Sequence, residues 1–184
     1  MTHTLTLPKG LGSASDRKAL EDAVSATQTR TWPEGESRLE AIQPDLIADA
    51  LIPKLHDELH GARIAYLFRE KMTGRDTIIL GKAKKAGADL VHLGNVDFVI
   101  EFNFEAWLSL VPNAKVALVD HELCHCGKDA ESGAWVMVRH DVEEFAAIVK
   151  RWGLWTADLV TFGKVVGPQL EIWKGLDSQQ AASS

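Results

Sequence analysis

At 184 residues, 46% apolar and 25% charged, the chain suits one water-soluble domain with its own core and is short for two. A net charge of −6, with no basic run denser than Lys82-Ala83-Lys84-Lys85, weighs against direct nucleic-acid binding as its main task. No stretch approaches the roughly eighteen uncharged apolar residues of a membrane span, Met1 to Gly12 lacks a signal-peptide pattern, and the only cysteines, Cys124 and Cys126, sit too close together for a structural disulfide. A cytoplasmic protein without a membrane partner is expected.

Residues 1–12 mix Thr, Pro and Gly without periodicity and read as a flexible N-terminus, followed by a single domain over 13–175 and a disordered tail over 176–184. Ser13 or Ser15 caps a helix over about 16–27, in which Ala19, Leu20, Ala23 and Val24 recur at helical spacing. Trp32-Pro33-Glu34-Gly35 breaks it. A second helix starts near Pro44, is kinked or split at Pro53, and reaches about His60 before Gly61. His56 and His60, beside Asp57 and Glu58, read as surface polar residues. Strands follow at 64–69, 77–85 and 98–103. In the last, Phe98, Ile100 and Phe102 face one way and Glu101 and Asn103 the other, as in a sheet with one packed and one wet face.

A helix begins near Phe104, is interrupted by Pro112, and resumes over 113–126 with Gly127 placed to end it. A short strand over 134–139 leads to an amphipathic helix over 141–152, with Val142, Phe145, Ile148 and Val149 inward and Gly153 at its end. At most one more helix follows, through Trp173.

The chemistry sits at His121-Glu122-Leu123-Cys124-His125. Four residues is just over one helical turn, so His121 and His125 leave the same face and can take two corners of a zinc tetrahedron. Glu122, turned about 100° from His121, can reach a water on the metal without being a ligand, and can accept its proton during attack on a carbonyl. The apolar stretch upstream (Val116, Ala117, Leu118, Val119) places the motif at the inner end of a core helix. For the third ligand, His140 at a strand-to-helix junction can point back at the pair. Glu143 or Glu144, on the same helix face, would instead give a two-His, one-carboxylate site, and Glu131 is a weaker candidate. The longer HExxHxxGxxH pattern is absent, since Lys128 and Glu131 hold its Gly and His positions. Cys124 flanks the ligand face and reads as core packing, because a fourth protein ligand would close the position catalysis needs. Tyr66 or Arg139 could stabilise an oxyanion.

The stretches Arg63-Ile64-Ala65-Tyr66-Leu67-Phe68-Arg69, Gly81-Lys82-Ala83-Lys84, Asp97-Phe98-Val99-Ile100-Glu101, Ala117-Leu118-Val119-Asp120-His121-Glu122-Leu123-Cys124-His125-Cys126 and His140-Asp141-Val142-Glu143-Glu144-Phe145 resemble the putative phage metallopeptidase family. The chain is more distantly similar to the SprT-like zinc peptidases. The resemblance implies an α+β, zincin-like fold: a small, mostly antiparallel sheet packed beside an HExxH helix, with additional N- and C-terminal helices. It also implies a phage or prophage origin. In SprT-like enzymes a His-Gly block, with an aromatic four residues after the His, supplies the third zinc ligand. Here Asp141 replaces the Gly and Phe145 falls five residues on, so His140 matches loosely and Glu143 and Glu144 stay open. By the same analogy an edge strand aligns the substrate, and Phe98–Asn103 is expected to be that strand.

The function expected is that of a zinc-dependent metallohydrolase, a metallopeptidase acting on a protein or peptide such as a bacterial host protein. Two alternatives stand beside it: a zinc hydrolase of a non-peptide amide, and a zinc-containing protein that blocks a host factor without catalysis.

Overall fold

Ser13 and Asp16 start the first helix by capping each other: Asp16 N–H donates to Ser13 Oγ at 3.1 Å, and Ser13 N–H donates to Asp16 Oδ2 at 3.2 Å. This helix, α1 (Ala14–Ser25), turns Leu20 and Ala23 inward. The computed structural model describes residues 5, 7, 11–75, 77–140, 145–157, 159, 160 and 163. Of the first twelve residues, Leu5 and Leu11 are buried in the core. The expected tail, the start of the helix at 141–144, any helix reaching Trp173, and the carboxylates Glu143 and Glu144 lie outside the described residues.

A two-residue strand, β1 (Leu39–Glu40), precedes α2 (Ile42–Leu55). Pro53 falls in the last turn of α2, and the helix runs past it; the break comes at His56, before a single 3-10 turn, Asp57–Leu59. Next come β2 (Ile64–Arg69), β3 (Gly81–Lys85), α3 (Ala88–Gly94) and β4 (Phe98–Asn103). The strand expected from Thr77 thus begins only at Gly81. Asn95, in the left-handed region at φ 52°, closes α3.

The main sheet has the order β1-β2-β4-β3. β1 with β2 and β3 with β4 are antiparallel, whereas β2 and β4 run parallel, Ile64 opposite Phe98 and Arg69 opposite Asn103. The sheet is therefore mixed, because the chain leaves β2, passes through β3 and α3, and enters β4 in the direction of β2. It follows that β4 is interior and cannot be the edge strand. The edges are β1 and β3, and β3 is the one beside the helix that carries His121.

Nor is the second face of β4 simply wet. Glu101 is only 2% exposed, beneath Arg38 (3.0 Å), Lys84 (2.5 Å) and Arg69 (3.9 Å). Asn103, also buried, accepts the Ala106 N–H at the start of α4 (Phe104–Ser109) and donates to the carbonyls of Met72 and Ile79. The opposite face carries Phe98, Ile100 and Phe102, fully buried with Phe68 and Trp107. Phe102 and Trp107 rings lie 5.4 Å apart, and Phe68 and Trp107 rings 5.7 Å apart. Burying such side chains contributes about 1.5–3 kcal/mol each.

Pro112 opens α5 (Pro112–Cys124), a suitable first-turn residue because its missing N–H has no helical partner there. Val116, Val119 and Leu123 enter the core, so the helix packs against both the sheet and α2. It stops at Cys124, with His125 as its cap. Gly127, expected to end the helix, instead lies in β5 (Cys126–Lys128), which pairs antiparallel with β6 (Trp135–Met137). A Cβ at Gly127 would meet Val138 Cγ2 at 2.7 Å, so close packing of the hairpin requires glycine here. The last described helix, α6 (Ala146–Trp152), ends at Gly153 with φ 70°. Among the described residues no helix is long and apolar enough to cross a membrane.

Candidate metal centre

The last turn of α5 sets His121 and His125 with ring centroids 5.1 Å apart. The β5–β6 hairpin then brings the chain back. Val138 N–H donates to the His125 carbonyl at 2.8 Å, and His125 Nδ1 lies 2.9 Å from the Val138 carbonyl. A carbonyl only accepts, so Nδ1 carries the proton and Nε2 keeps its lone pair for a ligand. Two residues after this clamp, His140 comes to 5.1 Å from the His121 ring and 4.5 Å from the His125 ring. The Nε2 atoms of His121 and His140 are 3.3 Å apart. One nitrogen from each of the three imidazoles lies within 4.8 Å of the other two, and such a donor set can hold one divalent ion.

Aromatic rings wall this cluster. Phe145 packs edge-on against all three imidazoles, at 4.8 to 5.5 Å, and Trp155 lies 6.0 Å from His121. Trp155 also lines a cavity of about 260 Å³ with Val111, Asn113, Ala114, Arg151 and Trp152. A larger cavity of about 680 Å³, lined by Gln43, Arg30 and Lys115, belongs to the α1–α2 side of the molecule.

Glu122 is 3% exposed and stands outside the three-histidine donor set. Its carboxylate lies directly against Gly81 at the start of β3, where a Cβ would sit 2.5 Å from Oε1 and 2.8 Å from Cδ. The glycine is what lets the edge strand approach the acid this closely. Glu131 is exposed in the hairpin turn, and Tyr66 is buried on β2, its phenol pushed up by burial and nearby Asp45. Burial likewise pushes the thiols of Cys124 and Cys126 up to about 12, leaving both protonated at neutral pH.

The surface role expected for His56 is overturned. It is 2% exposed, and its Nε2 lies 2.7 Å from Asp120 Oδ1. Arg151 donates to the same oxygen at 2.6 Å, and Trp152 Nε1 donates to Oδ2 at 2.7 Å. The α2 break at His56 turns the imidazole inward, away from the helix surface it would occupy if α2 continued to His60. The signal was present in the apolar residues around it, Ile52, Leu55 and Leu59.

A metal-competent histidine cluster on a core helix, beside a buried carboxylate and a mixed sheet, defines an α+β metalloprotein. The chain matches, over residues 36–164, the model of the family described as putative phage metallopeptidase, and it belongs to that family. Membership supports a metallopeptidase in general and implies a bound metal. No curated protein and no solved structure matches the chain.

Proposed function

We propose that the chain is a zincin-like, HExxH-type zinc peptidase in which His121, His125 and His140 hold the ion and Glu122 is the general base. The observation carrying this is the 3.3 Å between the His121 and His140 Nε2 atoms. Two nitrogens bound at about 2.0–2.1 Å to a tetrahedral zinc lie about 3.3–3.4 Å apart. Three protein ligands leave the fourth position for catalysis.

When bound, zinc would act as a Lewis acid that polarises the scissile carbonyl and acidifies water. The chain supplies the rest. The Val138 carbonyl fixes the His125 tautomer and ring. Phe145 and Trp155 keep one side of the cluster dry. Glu122 takes the proton of the attacking water and passes it to the leaving amine. The free edge of β3, which starts against Glu122, aligns an extended substrate by backbone pairing. The substrate is a protein or peptide segment, such as one of a bacterial host protein, met in the cytoplasm.

Metal analysis after dialysis, with digestion of an unfolded protein, tests the proposal on wild type, Glu122→Gln and His140→Ala. We expect zinc near one per chain in the first two, loss in the third, and cleavage by wild type alone. Wild-type protein that retains no metal overturns the reading. Zinc retention with cleavage of small amides only, or a biological effect that survives Glu122→Gln, replaces the peptidase with one of the other two functions.

A further inference from the structure

The face of β3 turned away from α5 carries more positive charge than its surroundings neutralise. Strand residues alternate between faces, so Gly81 and Ala83 face α5 and the core, while Lys82 and Lys84 share the other face with Glu101 of β4. Three cations already converge on Glu101: Arg38, Arg69 and Lys84. These three side chains are each about 40% exposed, whereas Glu101 is buried beneath them. Lys82, directly opposite Glu101 in register and exposed, adds a fourth. Among the strand residues of this face the one other carboxylate, Glu40 of β1, lies at the other edge of the sheet, beyond β4 and β2. The result is a local cationic surplus in a chain of net charge −6.

The surplus flanks an edge that pairs with no other described strand, although the β5–β6 hairpin packs near β3. A peptide laid along that edge would run about 4.8 Å from β3, and its side chain opposite Lys82 would project to the same face, its Cβ about 5 Å from the lysine's. Lys82 is one residue from Gly81, which touches Glu122. That side chain therefore falls within about two residues of the bond that Glu122 would attack.

We propose, as an inference that rests on the peptidase reading, that Lys82 makes the enzyme select extended segments with Asp or Glu at this position. Arg38, Arg69 and Lys84 supply the background field, and Lys82 the residue-specific contact. The partner class is an acidic, extended polypeptide.

Binding and cleavage separate the two claims. Glu122→Gln, loaded with zinc, is titrated with a fluorescent unstructured peptide bearing Glu at successive positions, and with the same peptide bearing Gln. The acidic peptide should bind about 3- to 10-fold tighter at low salt, the difference shrinking as ionic strength rises. Adding Lys82→Gln should abolish the difference, Lys82→Glu should reverse it toward Lys- or Arg-bearing peptides, and the remote control Lys18→Gln should leave it intact. Equal binding of both peptides, or a preference that survives Lys82→Glu, overturns the inference even if wild type cleaves. A Lys82-dependent preference without any cleavage by wild type sustains the acidic docking edge and removes the peptidase.

Discussion

Two groups of potential metal donors grow from the same turn of α5, and they differ in where their positive charge comes from. In the group His56, Asp120 and Cys124, the chain supplies its own cation: Arg151 lies 2.6 Å from Asp120 Oδ1, and Trp152 occupies Oδ2. Both carboxylate oxygens are thereby engaged, and His56 and Asp120 are buried. In the group His121, His125 and His140, three side chains that are neutral when they ligate converge at an accessible surface, with the outer nitrogen of His125 held by a backbone carbonyl. Neighbouring residues, Asp120 and His121, thus serve opposite ends. Asp120 ties α2 and α6 to the helix, and His121 faces outward where an ion can enter. A donor list alone would not separate them; the position of Arg151 does.

Variants that remove a donor from each group should produce opposite results, which is the sharpest way to break this comparison. His121→Ala should lose metal affinity by more than the ~10–100-fold typical of supporting residues, with little change in urea stability of the metal-free protein. Glu122→Gln should keep the metal while turnover falls ~10²–10⁴-fold. Asp120→Asn should do the reverse of His121→Ala: metal per folded chain is retained, while stability falls by about 3 kcal/mol. That figure is the low end for breaking a buried ion pair, because Arg151 is 16% exposed and partly solvated. Equal metal loss in His121→Ala and Asp120→Asn would show that the two groups act as one.

A smaller effect tests the approach of β3 to the acid. Gly81→Ala places a methyl 2.5 Å from Glu122 Oε1, so the carboxylate must move. A displacement of about 1 Å at a catalytic group costs on the order of 10²-fold in turnover. Metal content should stay at the wild-type level. Unchanged turnover would mean that Glu122 does not act from the position it holds here.

That His121 and His125 come together, with Glu122 beside them, is legible because one helical turn relates them, and spacing along a helix is a local property. His140 was half legible: its strand-to-helix junction could be read, but the clamp between Val138 and His125 that delivers it is a tertiary contact. Nothing local says that Gly81, 41 residues upstream, makes room for the acid. The expected edge at Phe98–Asn103 fails for a similar reason, although composition holds a clue. Lys82, Lys84 and Lys85 suit an exposed edge, whereas the run Phe98-Val99-Ile100 suits a strand covered on both faces. The surface expectation for His56 fails because α2 ends there; the side chain turns inward and meets Asp120.

The smallest effect expected separates the clusters by pH. Burial lowers the His56 pKa, but the hydrogen bonds and charges of Asp120 and Glu58 outweigh both that and the repulsion of Arg151, leaving it raised above its ordinary value. A raised histidine contributes stability that is fully present below the unfolded value near 6.5 and is lost as pH climbs through the folded one. The urea stability of metal-free wild type should therefore exceed that of His56→Gln most below about pH 6.5, with the gap narrowing as pH rises above that value. Asp120, whose folded value is lowered by His56, Trp152 and Arg151 despite its burial, titrates well below this window and does not contribute to the slope. A gap that widens with rising pH would mean that His56 is held neutral, with Asp120 paired to Arg151 alone.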